Sequence, residues 1–374
     1  MTVRSVRGPF RPGPGGMPPY LAGREAEQAF FRELLRDLAN GVAPGAEVVL
    51  HGPRGNGKTV LLSWLEEEAA SFPGVEVVQR TPSEIPDRLH LAEELLPHSW
   101  WKRYAPAEVT VAGLGWKPGQ ERPPSARAIL SARAGKAPLV LLLDEAHTLD
   151  PDVGRELLNA SQYVGRRLPF LLVLAGTPNL RGHLDSIGAS FWNRAERIPV
   201  GRLDPAATSE AFRRPLEDTG VPVPNDTLDP MREASQGYPY FVQLLGSAVW
   251  RGLATSPDRT RAVTPSVLES ALSVFEQERD DYYLDRYREL EAGGLLRAAG
   301  GVADAMRKRP ALTSAELETA IGRTLGGGVG QPGVSVVREA LSDLGFVWGP
   351  GPTPDWEPGI PSLMAYIREH APRP

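Results

Sequence analysis

Eight residues between two apolar runs have the types and the spacing that bind phosphate groups. They read GPRGNGKT from Gly52 to Thr59 and satisfy the pattern G-x-x-x-x-G-K-[ST]. Glycines in such a loop let backbone N–H groups turn toward phosphate oxygens, and the helix that starts there adds partial positive charge. We expect Lys58 to reach the β- and γ-phosphates of a nucleotide and the Thr59 hydroxyl to bind Mg²⁺. The residues expected to contact the nucleotide here are Gly52, Pro53, Arg54, Gly55, Asn56, Gly57, Lys58, Thr59 and Val60.

An acidic pair after another apolar run supplies the second half of a phosphate site. The run Leu139–Leu143 ends in Asp144 and Glu145. Asp144 is expected to hold Mg²⁺ and its water shell, and Glu145 to polarise the water that attacks the terminal phosphate. With the glycine-rich loop, the pair predicts a site for ATP and Mg²⁺. The alternative is a chance turn and a strand that ends in surface acids. His147 fits a surface or capping histidine and is given no role.

Strands that alternate with helices in the first half of the chain indicate how these motifs are positioned. The runs Leu139–Leu143 and Phe170–Ala175 are apolar throughout, which is typical of parallel strands buried on both faces. The pattern predicts an α/β fold, a doubly wound parallel sheet with the glycine-rich loop at a strand-to-helix corner. Residues 80–138 are less regular and are interpreted as an insertion, with a helix near residues 83–97 and a small hairpin near residues 108–117.

Composition and pattern divide the chain into five predicted segments. The first residues are rich in proline and glycine and predict a flexible lead-in. Helical patterns replace the strand pattern after Leu203. A long polar helix then leads to a tail whose three helices and tight hairpin predict a winged helix-turn-helix. The predicted segments are a flexible N-terminus at 1–19, an α/β core at 20–203, a helical lid at 204–262, a linker helix at 263–290 and a winged-helix-like domain at 291–374.

The composition of the 374 residues excludes several kinds of chemistry. The chain has no cysteine, so disulfides, thiolate zinc sites and thiol catalysis are excluded. Its longest apolar runs are far too short to span a bilayer, and its N-terminus lacks the apolar centre of a signal peptide. These features predict a cytoplasmic protein without membrane contact. The net charge of −5 means that any nucleic-acid contact has to come from a local basic patch.

Taken in order, the motifs resemble those of the AAA+ and STAND ATPases, especially the branch shared by origin-recognition initiators and prokaryotic STAND-like regulators. YLAGRE resembles the family's N-terminal hhGRE motif, which implies that the backbone around Arg24 lines the adenine pocket. LLVLAGTPNL resembles the sensor-1 strand, which implies that Thr177, or else Asn179, senses the γ-phosphate. SFWNRAERIPVGRL resembles the segment that carries the arginine finger, which implies Arg194 as the finger and Arg197 as the second choice.

A further resemblance lies at the start of the predicted lid helix. SQGYPYFVQLLG is similar to the sensor-2 helix, and Gly237-Tyr238-Pro239 matches the G-x-P signature of the STAND group, in which the proline packs near the nucleotide. The initiators usually carry an arginine on this helix, whereas this sequence has none between Gly237 and Trp250. That departure favours the STAND side. The resemblance as a whole implies a P-loop NTPase core of the AAA+ type with ATP and Mg²⁺ as cofactors.

The predicted winged-helix tail has few features of a DNA reader. From Gly301 to the C-terminus it contains seven Lys/Arg residues against eight Asp/Glu residues. The predicted recognition helix, VSVVREALSDLG, has one arginine and two acids, whereas helices that read DNA are usually basic. The tail is therefore interpreted as a protein-interaction or packing module, and DNA contact stays open without support from charge. Trp348 and Trp356 of the hairpin either pack in its core or form part of a partner surface.

Two functions fit these motifs. The first is an ATP-binding and ATP-hydrolysing switch of the STAND-like AAA+ class, in which Mg-ATP controls homo-oligomerisation and the engagement of a protein partner by the tail. In an oligomer, Arg194 of a neighbour would accelerate the hydrolysis that resets the switch. The second is a DNA-bound AAA+ ATPase of the replication-initiator, loader or transposition-regulator type. A binding module with a degenerate site is disfavoured because Lys58, Thr59, Asp144 and Glu145 are all present.

Overall fold

A five-stranded parallel sheet forms the centre of the N-terminal half. The computed structural model describes residues 8–13, 15–96, 124–188, 193–255, 262–325, 332–349 and 355–371. The strands of the sheet are β1 Val48–His51, β2 Glu76–Arg80, β3 Leu139–Leu143, β4 Phe170–Gly176 and β5 Glu196–Pro199. Their order across the sheet is β2-β3-β4-β1-β5, and every neighbouring pair is parallel. The α/β fold class predicted from the sequence is confirmed.

Burial explains why the apolar runs form the central strands. Every residue of β1, β3 and β4 is buried, whereas β2 and β5 at the two edges are partly exposed. A parallel strand in the middle of such a sheet is covered on both faces and so needs an unbroken apolar run. Because β3, β4 and β1 are neighbours, the residues that follow them lie side by side at one edge of the sheet.

Helices cover both faces of the sheet. They are α1 Glu25–Ala39, α2 Lys58–Ala69, α3 Arg88–Leu95, α4 Ala126–Ala134, α5 Pro151–Val164 and α6 Leu180–Ser186. One apolar layer combines α1 and α2 with residues such as Leu50 of β1. The other layer combines α3 to α6 with residues such as Val49 of the same strand. Alternate residues of a strand point to opposite faces, so β1 contributes to both layers.

Among the described residues, the insertion predicted at residues 80–138 contains the helices α4 and α3, of which only α3 falls where the sequence predicts a helix. This helix, α3, lies within the predicted range of 83–97, and the Asp87 carboxylate starts it by accepting the backbone N–H groups of Leu89 and His90. Such N-terminal caps satisfy donors that have no partner inside the helix. The hairpin predicted near residues 108–117 lies outside the described residues.

Four helices follow the sheet. They are α7 Pro205–Glu217, α8 Asn225–Ser235, α9 Pro239–Thr255 and α10 Pro265–Ala292. The predicted apolar stripe of α9 is buried, and α10 packs along α9 through residues such as Phe275 and Tyr283. The long polar helix is thus a packed element of the molecule. None of the helices in the described ranges is long and apolar enough to cross a membrane.

Phe10 and Arg11, in the described part of the N-terminal segment, contact these helices. Phe10 is 4% exposed and lies in the apolar core, with its ring centroid 6.4 Å from that of Phe212. The backbone N–H of Arg11 donates to Gln243 Oε1 of α9 at 2.8 Å. The flexible character expected for residues 1–19 therefore does not hold at Phe10 and Arg11. A single buried aromatic in a proline- and glycine-rich segment leaves no periodic pattern from which its burial could be predicted.

The C-terminal part is built from helices and a short hairpin. The helices are α11 Leu296–Ala305, α12 Ser314–Gly322, α13 Val334–Asp343 and α14 Leu363–His370. The antiparallel strands β6 Val347–Trp348 and β7 Glu357–Pro358 form the hairpin between α13 and α14. Leu312 forms an antiparallel bridge with Trp356 and ties the segment before α12 to the hairpin. One continuous apolar core joins these elements to α7–α10.

Candidate nucleotide site

The glycine-rich loop connects β1 to α2 at the carboxyl edge of the sheet. Gly57 precedes α2 with a φ of +89°, a left-handed conformation that glycine adopts without steric cost. A Cβ atom on Gly55 would lie 2.3 Å from the hydroxyl oxygen of Tyr238, so only glycine fits there. The backbone N–H of Tyr240 donates to the Gly55 carbonyl at 3.1 Å. The loop is thus held both by the sheet and by the start of α9.

Lys58 is buried within the loop. Its Nζ donates to the backbone carbonyls of Gly52 at 2.7 Å and Pro53 at 2.9 Å. Burial lowers the pKa of Lys58 to about 8 because the surroundings disfavour the ammonium, although Glu145 and Asp144 partly offset this. An anionic phosphate beside Nζ would supply the missing counter-charge. The position expected from the sequence therefore suits a phosphate ligand.

Thr59 and Asp144 meet at the expected metal position. The Thr59 hydroxyl donates to Asp144 Oδ2 at 2.6 Å, although the two residues come from α2 and from the end of β3. Within the described residues, no group of three or more His, Asp or Glu side chains is arranged to hold a metal ion. Mg²⁺ needs no such cluster, because it usually keeps several waters and binds through one or two protein oxygens plus the phosphates. The donor set fits Mg²⁺ bound together with a nucleotide.

Glu145 stands at the mouth of the site. It has a φ of +52°, unusual for a non-glycine residue, and its side chain is 48% exposed. Its backbone N–H donates to Asp144 Oδ1 at 2.9 Å, and its Oε2 lies 3.4 Å from His147 Nε2. His147 Nδ1 is buried without a hydrogen-bond partner, and burial lowers the pKa of this imidazole. His147, for which the sequence indicated no role, is the side chain that contacts Glu145.

A cavity of about 780 Å³ extends from this corner between the loop, the N-terminal segment and α9 and α10. Asp144, Glu145 and the loop from Arg54 to Val60 line one part of it. The cavity is also lined by Tyr20, Leu21, Ala22, Leu203, Ala211 and Val242. Pro239, which the resemblance implies packs near the nucleotide, also lines the cavity. A lining that combines charged and apolar side chains fits the phosphates and the base of a nucleotide.

Arg24 lies in the wall of the cavity and is 8% exposed. Its guanidinium donates to the carbonyl of Asn56 at 3.2 Å and to the carbonyl of Gly201, and burial lowers its pKa. It therefore ties the glycine-rich loop to the segment after β5. Asn56 is 1% exposed, and both polar atoms of its side chain lack a partner within the protein. Such orphaned atoms beside the cavity are suited to a polar ligand.

Thr177 and Asn179, the two γ-phosphate sensor candidates, follow β4 and bind the C-terminal part of the chain. The Thr177 hydroxyl donates to Asp343 Oδ1 at 2.9 Å, and the Asn179 amide donates to Asp343 Oδ2 at 3.2 Å. Asp343 is the last residue of α13. The negative charge of Asp343 also opposes the lowering of the His147 pKa by burial, so the carboxylate lies close to the acidic end of β3. The sequence carried no signal for this contact because its partners are far apart along the chain.

Arg194 and Arg197, the two finger candidates, lie in and just before β5. Arg194 is exposed and donates to Gln162 Oε1 at 3.3 Å, just before β5. Arg197 lies within β5, in register with Val49 of β1. The loop follows the carboxyl end of β1, whereas Arg194 lies at the opposite, amino edge of the sheet. Arg194 is therefore not brought to the site within one chain, whereas burial lowers the pKa of His51, the residue before the loop, and Arg197 is near enough to add to this effect.

Several cavity-lining residues escaped prediction from the sequence. They are Arg11, Tyr240, Gln243, Tyr282 and Arg286. Tyr282 and Arg286 lie on α10, whose polar pattern resembled a linker and gave no reason to single out one arginine among several. Tyr240 and Gln243 lie within the motif of the lid helix. Gln243 is four residues after Pro239 and three after Tyr240, and this spacing could have predicted that they share a helix face.

The comparisons with known proteins agree with this geometry. Residues 46–184 match the family described as AAA domain. The chain is similar in structure to the Walker-type ATPase paby2304 of Pyrococcus abyssi, with 16% identity, coverage of 98% of this chain and 100% of that chain, and a TM-score of 0.61. It is also similar to the ORC2 protein of Aeropyrum pernix in its ADPNP-ADP complexes, with 15% identity, coverage of 97% and 99%, and a TM-score of 0.55. The curated protein sequences contain no significant match.

These findings establish the class of fold. The match to the AAA domain spans β1 to α6, and the two solved structures cover nearly the whole chain. At such low identities, the structural similarity extends to the fold alone. The chain therefore has the fold of an AAA-type P-loop ATPase.

Proposed function

We propose that the protein is an ATP-dependent switch of the STAND-like AAA+ type, in which the C-terminal part docks on the nucleotide site and ATP releases it. The observation that carries the proposal is the pair of hydrogen bonds from Thr177 and Asn179 to Asp343. The Asp343 carboxylate accepts from the two side chains expected to sense the γ-phosphate. A γ-phosphate is an anionic acceptor of the same kind, so the two would compete for the same donors.

Further contacts support docking of the C-terminal part on the loop. A Cβ atom on Gly52 would lie 3.3 Å from the Trp348 ring, so the hairpin lies directly against the loop backbone. The His51 and Trp348 ring centroids are 6.2 Å apart, and Arg202 pairs with Glu357 of the hairpin at 3.3 Å. A ligand that shifts the loop therefore acts on the docked surface as well. Trp348 is 3% exposed, which favours its packing role.

The residues of the site account for ATP hydrolysis as follows. Lys58 would hold the β- and γ-phosphates, and Thr59 with Asp144 would hold Mg²⁺, which neutralises charge on the transferring phosphate. Glu145, which lines the cavity, would accept a proton from the attacking water once its side chain moves away from His147. Its 48% exposure leaves room for that movement. Release of the cleaved phosphate would free Thr177 and Asn179 to bind Asp343 again.

Assembly is the third part of the proposal. Arg194 is exposed at the edge of the sheet opposite the loop, so it would reach a nucleotide only in a neighbouring copy. An arginine supplied in this way accelerates hydrolysis by about 10³–10⁵ in P-loop NTPases. A nucleotide-dependent homo-oligomer would therefore hydrolyse ATP much faster than a single copy. The single chain would keep its nucleotide and act as a switch.

The C-terminal part is proposed to be a winged-helix domain that engages a protein partner. The order of α11, α12, α13 and the β6–β7 hairpin, closed by the Leu312–Trp356 bridge, supports this assignment. On α13, Arg338 is paired with Glu318 and Glu339, so it is not a free cation for a phosphate backbone. The DNA-bound ATPase is the alternative, and the order of α/β core, helices and winged-helix-like C-terminal part along the chain is the observation that favours it.

The experiment compares the unchanged protein with Lys58→Ala for nucleotide binding, for mass in solution and for DNA binding at low salt. We expect the unchanged protein to bind ATP, to form larger particles with ATP than with ADP in mass photometry, and to leave duplex DNA unshifted. Lys58→Ala should abolish the first two effects. Equal ATP affinity of the two proteins would refute the nucleotide site, and an ATP-dependent, salt-sensitive DNA shift would establish the alternative.

A further inference from the structure

We propose that Arg286, on a helix that belongs neither to the sheet nor to the predicted lid, binds the nucleotide phosphates directly. The inference rests on the nucleotide site proposed above. Arg286 lines the same cavity as Lys58 and Arg54, and only 17% of its side chain is exposed. Arg286 lies on α10, whereas the G-x-P motif lies at the start of the preceding helix, α9. The contact would place a phosphate ligand on the element that leads into the C-terminal part.

The Arg286 guanidinium has fewer partners than a buried cation requires. Its Nε is buried and has no hydrogen-bond partner in the described structure. Its Nη1 lies 3.0 Å from Glu289 Oε2, yet that oxygen accepts no hydrogen bond, so the contact is an ion pair with poor hydrogen-bond geometry. A buried charged donor without an acceptor is unfavourable. An anionic acceptor in the cavity would remove this cost on binding.

Two cations share the single carboxylate of Glu289. Arg54 Nη1 of the glycine-rich loop lies 3.5 Å from Glu289 Oε1, while Arg286 faces Oε2. One carboxylate cannot neutralise two guanidinium groups, so a net positive charge remains beside the loop. The planar fork of an arginine matches the oxygens of a phosphate, and two such forks suit a polyphosphate better than a neutral ligand.

The helix that carries Arg286 is fixed to the loop by tyrosines. The Tyr238 hydroxyl donates to the Arg54 carbonyl at 2.6 Å and lies 3.0 Å from the Tyr282 hydroxyl. The Arg286 guanidinium lies 5.2 Å from the centre of the Tyr282 ring, one helical turn away. These contacts hold Arg286 at the cavity before any ligand arrives, which reduces the entropy lost on binding.

Among the described residues that follow the sheet and line the cavity, Arg286 is the one basic side chain. The cavity-facing residues of α9 are Pro239, Tyr240, Val242 and Gln243. The position expected to carry an arginine on the lid helix is therefore filled by uncharged groups, and the Tyr240 ring lies 4.9 Å from the Tyr282 ring. The helices that follow the sheet therefore bring their positive charge to the cavity through Arg286 of α10.

The test measures binding of fluorescent ATP and ADP analogues, with Mg²⁺, to full-length Arg286→Ala, Arg286→Lys and Arg288→Ala proteins. Arg288 is the matched control, because it lies on the same helix with 65% of its side chain exposed. Arg286→Ala should raise the Kd for ATP by about tenfold or more, since it removes a charge-assisted contact. Arg286→Lys should lie in between, because it keeps the charge and loses the fork. Arg288→Ala should stay within about twofold.

Glu289→Gln separates a ligand contact from a structural ion pair. If Arg286 binds phosphate, removal of its counter-ion should strengthen ATP binding, whereas a structural pair would make binding weaker and lower the unfolding temperature of the nucleotide-free protein. Wild-type ATP and ADP affinities in Arg286→Ala, with binding lost in Lys58→Ala, would overturn this inference and leave the nucleotide site standing. Undiminished binding in Lys58→Ala would instead overturn the nucleotide site, and this inference with it.

Discussion

Removal of the Asp343 carboxylate is expected to strengthen the binding of ATP more than that of ADP. In the docked state this carboxylate accepts hydrogen bonds from Thr177 at 2.9 Å and from Asn179 at 3.2 Å. The bond from the buried Thr177 to this charged group is assigned about 1.5 kcal/mol, and the longer bond from the partly exposed Asn179 about 0.5 kcal/mol. We take about 2 kcal/mol for both contacts together, which corresponds to a factor of about 30.

The 30-fold factor applies to ATP because the Asp343 carboxylate and the γ-phosphate compete for the same two hydrogen-bond donors. Where a competing state dominates, the apparent Kd exceeds the intrinsic value by the inverse of the competent fraction. Asp343→Ala should therefore lower the apparent Kd for a non-hydrolysable ATP analogue by up to about 30-fold. The Kd for ADP, which has no γ-phosphate, should change by less than about threefold. Displacement of a fluorescent nucleotide measures both constants.

A matched control is Asp304→Ala, which removes an exposed carboxylate from α11 of the same C-terminal part. It should leave both constants unchanged, since Asp304 is exposed and is joined to the nucleotide site by no contact among the described residues. An equal increase in affinity for ATP and ADP in Asp343→Ala would mean that the docked C-terminal part merely obstructs the cavity. No gain for either nucleotide would refute the competition between Asp343 and the γ-phosphate.

Three further perturbations test the site and its supports. Glu145→Gln should lower single-turnover ATP hydrolysis by about 100-fold or more while ATP affinity stays within a few fold, and an unchanged rate would exclude Glu145 as the proton acceptor. Tyr238→Phe leaves the Arg54 carbonyl without its donor and should lower the free energy of unfolding by about 1–2 kcal/mol in urea, whereas an unaltered midpoint would contradict the tie between loop and lid. Burial, with Lys58 and Arg197 nearby, lowers the pKa of His51 to about 4. The unfolded chain therefore takes up a proton below about pH 6.5 that the native protein takes up only near pH 4, so stability should fall by up to about 3 kcal/mol over that interval. His51→Gln should flatten this part of the profile, and an equally steep profile would refute the assignment.

Local motifs of the site were predictable from the sequence because short segments specify them. The glycine-rich loop and Asp144 each depend on a few consecutive residues after an apolar strand, and the structure joins them through Thr59 at 2.6 Å. The central strands were predictable for a similar reason, because burial on both faces requires an unbroken apolar run. These motifs share one edge of the sheet because their strands are parallel to one another.

Contacts between distant segments were beyond prediction from the sequence. In the sequence, nothing distinguishes Asp343 from other acidic residues at helix ends, and only the packing of the C-terminal part brings it to Thr177. Arg286 is one of several arginines on α10, where no apolar period marks the face that meets the cavity. Phe10 lies in a segment whose composition indicates flexibility, yet one side chain anchors it. The role of Arg194 depends on a second copy of the chain, which no single-chain pattern describes.

The most direct test of the switch is the distance between the core and the C-terminal part in each nucleotide state. The chain has no cysteine, so spin labels on Glu66→Cys of α2 and Arg307→Cys after α11, both exposed positions, would be the only labels present. In a Glu145→Gln background, which preserves bound ATP, double electron–electron resonance should give one narrow distance without nucleotide and with ADP. With ATP and Mg²⁺ we predict a longer and broader distribution. The same narrow distance in all three states would contradict release of the C-terminal part by ATP.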